Sequence, residues 1–129
     1  MPRDPDRFPL DDRLRMQHML DAAGHVVLFV AGRSREDLDR DVMLVRALMN
    51  AVQEIGEAAA RISDVGRRRA ADVPWGQIVA MRHILVHVYW SVDRDRLWRT
   101  VSEDIPVLIA ALQKATADWP LPNLSPSPG

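Results

Sequence analysis

Residues 42–62 read VMLVRALMNAVQEIGEAAARI, and their apolar side chains recur every three or four positions. This spacing predicts one long amphipathic helix that packs its apolar face into a core. The face comprises eight residues: Val42, Val45, Leu48, Met49, Val52, Ile55, Ala59 and Ile62. Gly56 and the alanines at 58–60 make this face narrow, which permits a second helix to approach closely. Gly66 is expected to end the helix, just before three arginines at 67–69.

Helical spacing also extends to the segment that precedes this stretch. Residues 11–31 carry apolar side chains at the same intervals, and Gly32 is expected to stop that helix. The apolar series consists of Leu14, Met19, Leu20, Ala23, Val26, Val27 and Val30. Ser34 is followed three positions later by Asp37, which resembles a capping box and predicts a short charged helix.

Two further helices are predicted after the stretch. Residues 72–74 form a loop, and Pro74 suits the first turn of a helix that continues to about Ser91. Asp93 precedes the last helix, whose apolar positions are Leu97, Trp98, Val101, Ile105, Leu108, Ile109 and Leu112. Because Pro106 lies inside this series, we expect the last helix to kink or restart there.

These segments together predict an all-α fold. The sequence has no strand pattern and no internal repeat, so four main helices with short links favour an antiparallel bundle with one additional short helix. The expected domain spans residues 10–119. Residues 1–9 are expected to form a disordered N-terminal segment, and residues 120–129 a disordered tail rich in proline and serine.

Composition excludes several classes of protein. The 129 residues include no cysteine, so disulfides, thiolate metal sites and cysteine nucleophiles are impossible. The net charge of −1 does not indicate a protein that binds nucleic acid through its overall charge. A site for RNA would need locally concentrated positive charge. No apolar run reaches the length of a membrane span. The N-terminal sequence MPRDPDRFP is charged and interrupted by prolines, unlike a signal peptide, so a cytoplasmic protein is expected.

Residues 81–90, MRHILVHVYW, place polar groups within an apolar run. Arg82, His83, His87 and Tyr89 add a desolvation cost that a purely structural helix would avoid. At about 100° per residue, Tyr89 returns to within about 20° of Arg82, whereas His87 lies about 140° away. One straight helix therefore cannot aim Arg82 and His87 at one point. Either the helix distorts near its end, or these groups meet counterparts from a second chain in a two-fold dimer.

The residue types suggest metal-independent cleavage of RNA. Histidine transfers protons near neutral pH, and arginine suits a phosphate or its transition state. Alternatively, Arg82 extends from the bundle into solvent and His87 is a hydrogen-bonded core histidine. His83 and His87 could also form a metal-ligand pair with His18 or His25 as a third ligand, but no carboxylate stands at a diagnostic spacing.

Three other groups of residues admit a functional and a structural interpretation. Glu54 and Glu57 are either paired carboxylates or the solvated face of a helix. The arginines at 67–69 form either a solvated helix end or a patch that contacts RNA. The tryptophans at helix ends, which are Trp75, Trp90 and Trp98, are interpreted as packing anchors rather than platforms for stacked bases.

Several blocks occur in an order that resembles the HepT-like ribonuclease family, within the wider HEPN superfamily. They read QEIGEAAARIS, VPWGQIVAMRHILVHVYWSVD and LWRTVSEDIPVL, and the resemblance extends over roughly residues 10–112. It implies that Arg82 and His87 are the catalytic pair and that Tyr89 ends the motif. His83 stands where the family often has asparagine and is expected to line the site. Trp90 replaces the usual phenylalanine.

The resemblance also implies a biological role. Family members resemble metal-independent endoribonuclease toxins that act on RNA as homodimers, alone or within a larger hetero-oligomer. Their antitoxin is an MntA-like nucleotidyltransferase that transfers AMP to the motif tyrosine, here Tyr89. No cofactor and no metal are expected. The alternatives are a catalytically silent HEPN module that docks a nucleotidyltransferase, and a helical metal-binding bundle.

Overall fold

The computed structural model describes the backbone of residues 7–87 and 93–121, and the side chains of residues 11–81 and 93–121. Within these ranges the helices are α1 (Arg7–Val30), α2 (Asp37–Arg40), α3 (Val42–Ala60), α4 (Asp64–Arg69), α5 (Trp75–His87), α6 (Arg94–Arg99) and α7 (Ile105–Thr116), with a π-helical turn at Thr100–Asp104. The described residues contain no strand, which confirms the all-α fold. None of the described helices has the length and apolar character that a bilayer span requires. The domain boundaries near residues 10 and 119 remain predictions.

The four long helices form a bundle in which α1 and α3 each pack on two of the others. α1 packs on α3 and on α7, and α5 packs on α3. Ser63, just after α3, contacts Asp12 near the start of α1, and Arg13 donates a hydrogen bond to the carbonyl of Trp119 after α7. Because both later helices end where α1 begins, α3 and α7 run antiparallel to α1.

The apolar faces of α1 and α3 are shifted from the predicted ones. In α1 the buried positions include Met16, Met19, Ala22, Ala23 and Val26, whereas Val27 is 44% exposed. In α3 they include Leu44, Leu48, Ala51, Val52, Ile55 and Ala59, whereas Val42 is 64% exposed. The predictions for Val27 and Val42 were wrong. Val27 lies about 100° around the helix from the buried Val26 and so points away from the core, and Val42 is the first residue of α3.

The ends of α1 and α2 follow the predicted signals. Gly32 has a φ of +71°, a left-handed conformation that glycine adopts without strain, and it stops α1 as predicted. The carboxylate of Asp37 accepts a hydrogen bond from the Ser34 N–H at 2.7 Å, which is half of a capping box. The helix itself begins later than a full capping box would place it, at Asp37.

The long helix ends earlier than predicted. α3 ends at Ala60, and Gly66 lies inside the separate helix α4 rather than after α3. The cause is a tertiary contact: Asp12 of α1 accepts hydrogen bonds from the N–H and the hydroxyl of Ser63, at 2.9 and 2.5 Å. Ser63 in turn caps α4 by accepting a hydrogen bond from the Gly66 N–H at 3.2 Å. This contact holds Ser63 in an extended conformation that no helix can contain.

Pro106 causes the restart that the sequence predicts in the last helix. It lacks an N–H, and its ring would clash with the carbonyl of Ser102 in a regular α-helix. The backbone widens instead, so that the Ile105 N–H donates to the carbonyl of Thr100, five residues earlier. The apolar face still continues through the π-helical turn, since Leu97, Val101, Ile105, Leu108 and Leu112 are all buried.

Candidate active site

The motif residues Arg82, His83 and His87 lie in the C-terminal half of α5. The backbone of this helix is α-helical without interruption from Trp75 to His87. In such a helix Arg82 and His87 are separated by about 140° around the axis, whereas His83 and His87 share a side. Tyr89 and Trp90 lie outside the described residues. The backbone of α5 shows no distortion as far as His87, the last residue described there. Counterparts from a second chain stay a prediction.

Trp75 anchors the first turn of α5 in the core. Its side chain is buried, and its Nε1 donates a hydrogen bond to the carbonyl of Ala70 at 3.0 Å. Ile78, one turn later, is also buried. With a rise of 1.5 Å per residue, His87 lies about 18 Å along the axis from Trp75. The first turn of α5 is therefore anchored in the core, and the motif residues lie toward the other end of this helix.

A cavity of about 300 Å³ lies between α5 and the segment formed by α6, the π-helical turn and α7. Met81, which immediately precedes Arg82, lines it. Three buried side chains form its apolar floor: Ile78, Leu97 and Leu108. The remaining lining residues are Pro74, Gln77, Ala80, Asp93, Arg96, Thr100, Asp104 and Val107. The cavity thus combines an apolar floor with a polar rim beside the predicted catalytic helix.

The start of α6 is held in place on two sides. Asp93 caps the helix by accepting a hydrogen bond from the Arg96 N–H at 3.0 Å. Arg35, just before α2, donates to Asp95 at 2.5 Å and to Asp39 at 3.0 Å. These hydrogen bonds raise the pKa of Arg35, the one to Asp95 most strongly. The first described residues after the motif, at the start of α6, are therefore held in a fixed position.

His18 and His25, the possible third metal ligands, both lie on α1. His18 is exposed and lines a groove between α1 and α3 of about 500 Å³, together with Glu54 and Glu57. His25, further along α1, stacks on Phe29 with the ring centroids 6.0 Å apart. No group of three histidine or carboxylate side chains within the described part of the chain is arranged to hold a metal ion.

Glu54 and Glu57 belong to the surface of α3. Both are exposed, and each accepts a hydrogen bond from an amide one turn earlier: Glu54 from Asn50 at 3.0 Å, and Glu57 from Gln53 at 3.3 Å. Such pairs stabilise an exposed helix face. The structure favours the solvated interpretation of these carboxylates.

Residues 19–115 match a family model described as ribonuclease HepT-like. The chain belongs to this family. It is similar to a candidate RNase of Caldanaerobacter subterraneus subsp. tengcongensis, with 33% identity over 72% of this chain and 83% of the relative. A candidate RNase of Methanocaldococcus jannaschii is 31% identical over 74% of this chain and 88% of the relative. A candidate ribonuclease HepT of Thermococcus cleftensis is 38% identical over 61% and 72%. No solved structure gives a significant match.

Membership in the HepT-like family confirms the predicted enzyme class, a ribonuclease. The matched residues include the whole motif from Arg82 to Tyr89 and extend through the π-helical turn to α7. Because the cavity lies within the same region, both belong to the part of the chain that defines the family.

Two of the three arginines in the basic cluster pack on tryptophans. The Arg67 guanidinium lies 5.8 Å from the ring centre of Trp75 and donates to the carbonyl of Ala59 at 3.1 Å. The Arg69 guanidinium lies 4.0 Å from the ring centre of Trp119. Arg68 is exposed. The cluster therefore acts mainly as packing at the end of the bundle where α5 begins, far from His87.

Trp75 and Trp98 behave as the predicted packing anchors. Trp75 is buried, and Trp98 is half-buried against the core. The cavity residues Gln77, Thr100 and Asp104 were not singled out from the sequence, because they come from separate segments that only the tertiary packing brings together. The sequence Asp-Ile-Pro at 104–106 could have indicated these residues, because it marks the end of the π-helical turn that contributes to the cavity.

Proposed function

We propose that this HepT-like ribonuclease is a metal-independent endoribonuclease toxin whose site combines Arg82 and His87 at a dimer cleft. One observation carries the proposal: Arg82 and His87 lie on one uninterrupted stretch of helix, about 140° apart around its axis. Because of this angle, one chain cannot direct both side chains at the same phosphate. A two-fold axis brings an arginine and a histidine from each chain to one cleft.

The chemistry requires only these side chains and the RNA itself. One His87 takes the proton from the 2′-hydroxyl, whose oxygen then attacks the adjacent phosphorus. Arg82 stabilises the additional negative charge on the phosphorane. The partner histidine donates a proton to the 5′-oxygen as the P–O bond breaks, which leaves a 2′,3′-cyclic phosphate and a 5′-hydroxyl. His83, on the same side of α5 as His87, lines the site.

Silencing is proposed to occur at Tyr89. A nucleotidyltransferase antitoxin would present ATP, the tyrosine oxygen would attack the α-phosphate, and pyrophosphate would leave. The support is the position of Tyr89, two residues after His87 in the family motif. An AMP group there would add a bulky anionic phosphodiester near Arg82 and compete with the phosphate of RNA.

The catalytic assignment is tested by His87→Ala and by its matched control His25→Ala, which removes an exposed histidine of α1. Cleavage of a fluorescent single-stranded RNA in EDTA should fall roughly 10²–10⁴-fold in His87→Ala and remain unchanged in His25→Ala. Arg82→Lys should also be inactive, because an ammonium does not reproduce the guanidinium geometry. A folded His87→Ala protein with full activity would overturn the assignment, and binding of a nucleotidyltransferase without cleavage by the wild type would favour a silent HEPN module.

The modification is tested separately by intact mass. Wild-type chain co-expressed with a nucleotidyltransferase from a neighbouring gene should gain the mass of AMP, and Tyr89→Phe should not. Because this chain contains a single tyrosine, the expected result is unambiguous for tyrosine modification. The same added mass on Tyr89→Phe would place the acceptor on a different residue type.

A further inference from the structure

The cavity beside α5 presents hydrogen-bonding groups that the rest of the described structure does not engage. Arg96 and Asp104 are exposed at its rim. No side-chain hydrogen bond or ion pair of either residue occurs within residues 11–81 and 93–121. Gln77 and Thr100 add an amide and a hydroxyl to the same rim. A ligand could therefore bond to these groups without breaking a contact among the described residues.

The size and the floor of the cavity suit a small flat ligand. Its volume of about 300 Å³ lies at the lower end of the range for small-molecule sites. Ile78, Leu97 and Leu108 are each at most 2% exposed, so the floor is apolar and fixed by the core. An unpaired nucleobase has this form, because its faces pack on apolar side chains while its edges form hydrogen bonds.

The π-helical turn strengthens the case for a ligand site. Thr100 and Asp104, its first and last residues, both line the cavity. π-Helical turns inside α-helices occur frequently at functional sites. The turn therefore supplies two of the polar groups of the rim.

The cavity also adjoins the predicted catalytic residues. Met81 lines the cavity and Arg82 is the next residue along α5. The backbone of Arg82 therefore adjoins the cavity, and the proposed phosphate site and a base in the cavity would be neighbours. This adjacency favours a part of the RNA substrate as the occupant.

We propose that this cavity binds one unpaired base of the RNA next to the scissile phosphate, and that Arg96 and Asp104 select guanine. Arginine donates in pairs to O6 and N7 of guanine, and a carboxylate accepts from an amino group. Guanine has both the O6/N7 acceptor pair for Arg96 and an amino group for Asp104, whereas uracil has no amino group. The inference rests on the proposed ribonuclease site and specifies the sequence that this site prefers.

The first test is cleavage of four single-stranded oligonucleotides that differ in one base beside a single cleavable 2′-hydroxyl, the other positions being deoxynucleotides. Wild-type protein should prefer guanine over uracil by roughly 10- to 100-fold, the value of one good paired contact. Asp104→Asn and Arg96→Gln should each reduce this preference to a few-fold. Their matched controls, Glu103→Gln and Arg99→Gln, alter exposed neighbours that do not line the cavity and should keep it.

A binding measurement separates failure of the base site from failure of the ribonuclease site. Full-length His87→Ala protein should bind 5′-GMP more tightly than 5′-UMP by calorimetry, and Asp104→Asn should remove the difference. If GMP binds in this way but no RNA is cleaved, the base site stands and the proposed function fails. If RNA is cleaved without base preference, or if Asp104→Asn behaves like Glu103→Gln, the base site is refuted and the cavity has another occupant, such as a segment of protein.

Discussion

The carboxylate of Asp12 lies in the core, with the residue only 1% exposed. It accepts two hydrogen bonds from Ser63, and the hydroxyl of Ser63 then accepts one from the Gly66 N–H. A buried carboxylate is costly unless such partners satisfy it. Sequence spacing does not reveal this chain of bonds, because Asp12 and Ser63 are 51 residues apart. The contact decides where α3 ends and brings α4 against α1.

Gly66 allows this close approach, and Gly66→Ala should destabilise the protein. A Cβ at this position would lie 2.4 Å from Oδ2 of Asp12 and 2.9 Å from Cγ2 of Ile62. Asp12 cannot move away without breaking its bonds to Ser63. Overpacking of this kind costs about 1–3 kcal/mol. Replacing glycine within a helix gains about 1 kcal/mol, so the cost equals the gain at its lower end and exceeds it over the rest of the range. We expect the urea midpoint of unfolding to fall.

The matched control for this substitution is Gly24→Ala in α1. A Cβ at Gly24 would meet no atom within 4 Å, and the residue is exposed. Only the helix propensity then changes, so the urea midpoint should rise. Equal rises in both variants would show that Asp12 relaxes freely and that the close contact carries no cost.

The helices themselves could largely be predicted from spacing. The series Leu97, Val101, Ile105, Leu108 and Leu112 is buried as predicted, because one face of a helix repeats with the period of its sequence. Spacing left the effect of Pro106 open between a kink and a restart. The answer depends on backbone hydrogen bonds, and the structure resolves it as a π-helical turn followed by α7.

The candidate site could be predicted only in part. The motif spacing places Arg82, His83 and His87 on one helix, and α5 contains all three. Their catalytic roles stay a prediction, as does that of Tyr89. The cavity could not be predicted, because it depends on how closely α6 and α7 pack beside α5. Local patterns do not encode that separation.

The loop before α5 and the end of α7 are joined by an ion pair whose effect on stability should depend on pH. Lys114 donates to Asp72 at 2.8 Å, a contact that lowers the pKa of Asp72 and raises that of Lys114. The aspartate contribution is present above its ordinary pKa of 3.8 and is lost as pH falls through the lowered folded-state value. The lysine contribution is present below 10.5 and is lost as pH rises through the raised value.

Lys114→Met should therefore lower the urea midpoint slightly between about pH 4 and pH 10, and less outside this window. The effect should be small and should vanish in high salt, because both side chains are exposed. The comparison is Lys114→Met against Asp72→Asn and the double variant, at low and at high salt. A pH-independent loss that persists in high salt would mean that Lys114 acts through packing of its aliphatic chain instead.

Across the whole molecule, the arginine–tryptophan contacts and the proposed chemistry occupy opposite ends of the bundle. At the end where α1 begins, Arg13 bonds to the carbonyl of Trp119, Arg69 lies on the ring of Trp119 and Arg67 lies beside Trp75. The motif residues lie at the end where α5 finishes. Local stability varies within folded proteins, and surfaces that must admit a ligand are drawn from the less tightly packed regions. The contacts at the packed end can hold the first turn of α5 in place, and the proposed site would be built on the other end of that helix.

A composite site should reveal itself when two inactive variants are mixed. In a heterodimer of Arg82→Ala and His87→Ala chains, one chain still supplies histidine and the other still supplies arginine. If the cleft draws on both chains, each heterodimer holds one histidine and one arginine in that cleft, a combination that neither variant has alone. The mixture should therefore be more active than either variant, but well below wild type because the second histidine is missing. The control mixture, Arg82→Ala with Arg82→Lys, shares one defect and should stay inactive. Sedimentation velocity should show a dimer at the assay concentration, and a monomer that cleaves RNA would refute the shared cleft.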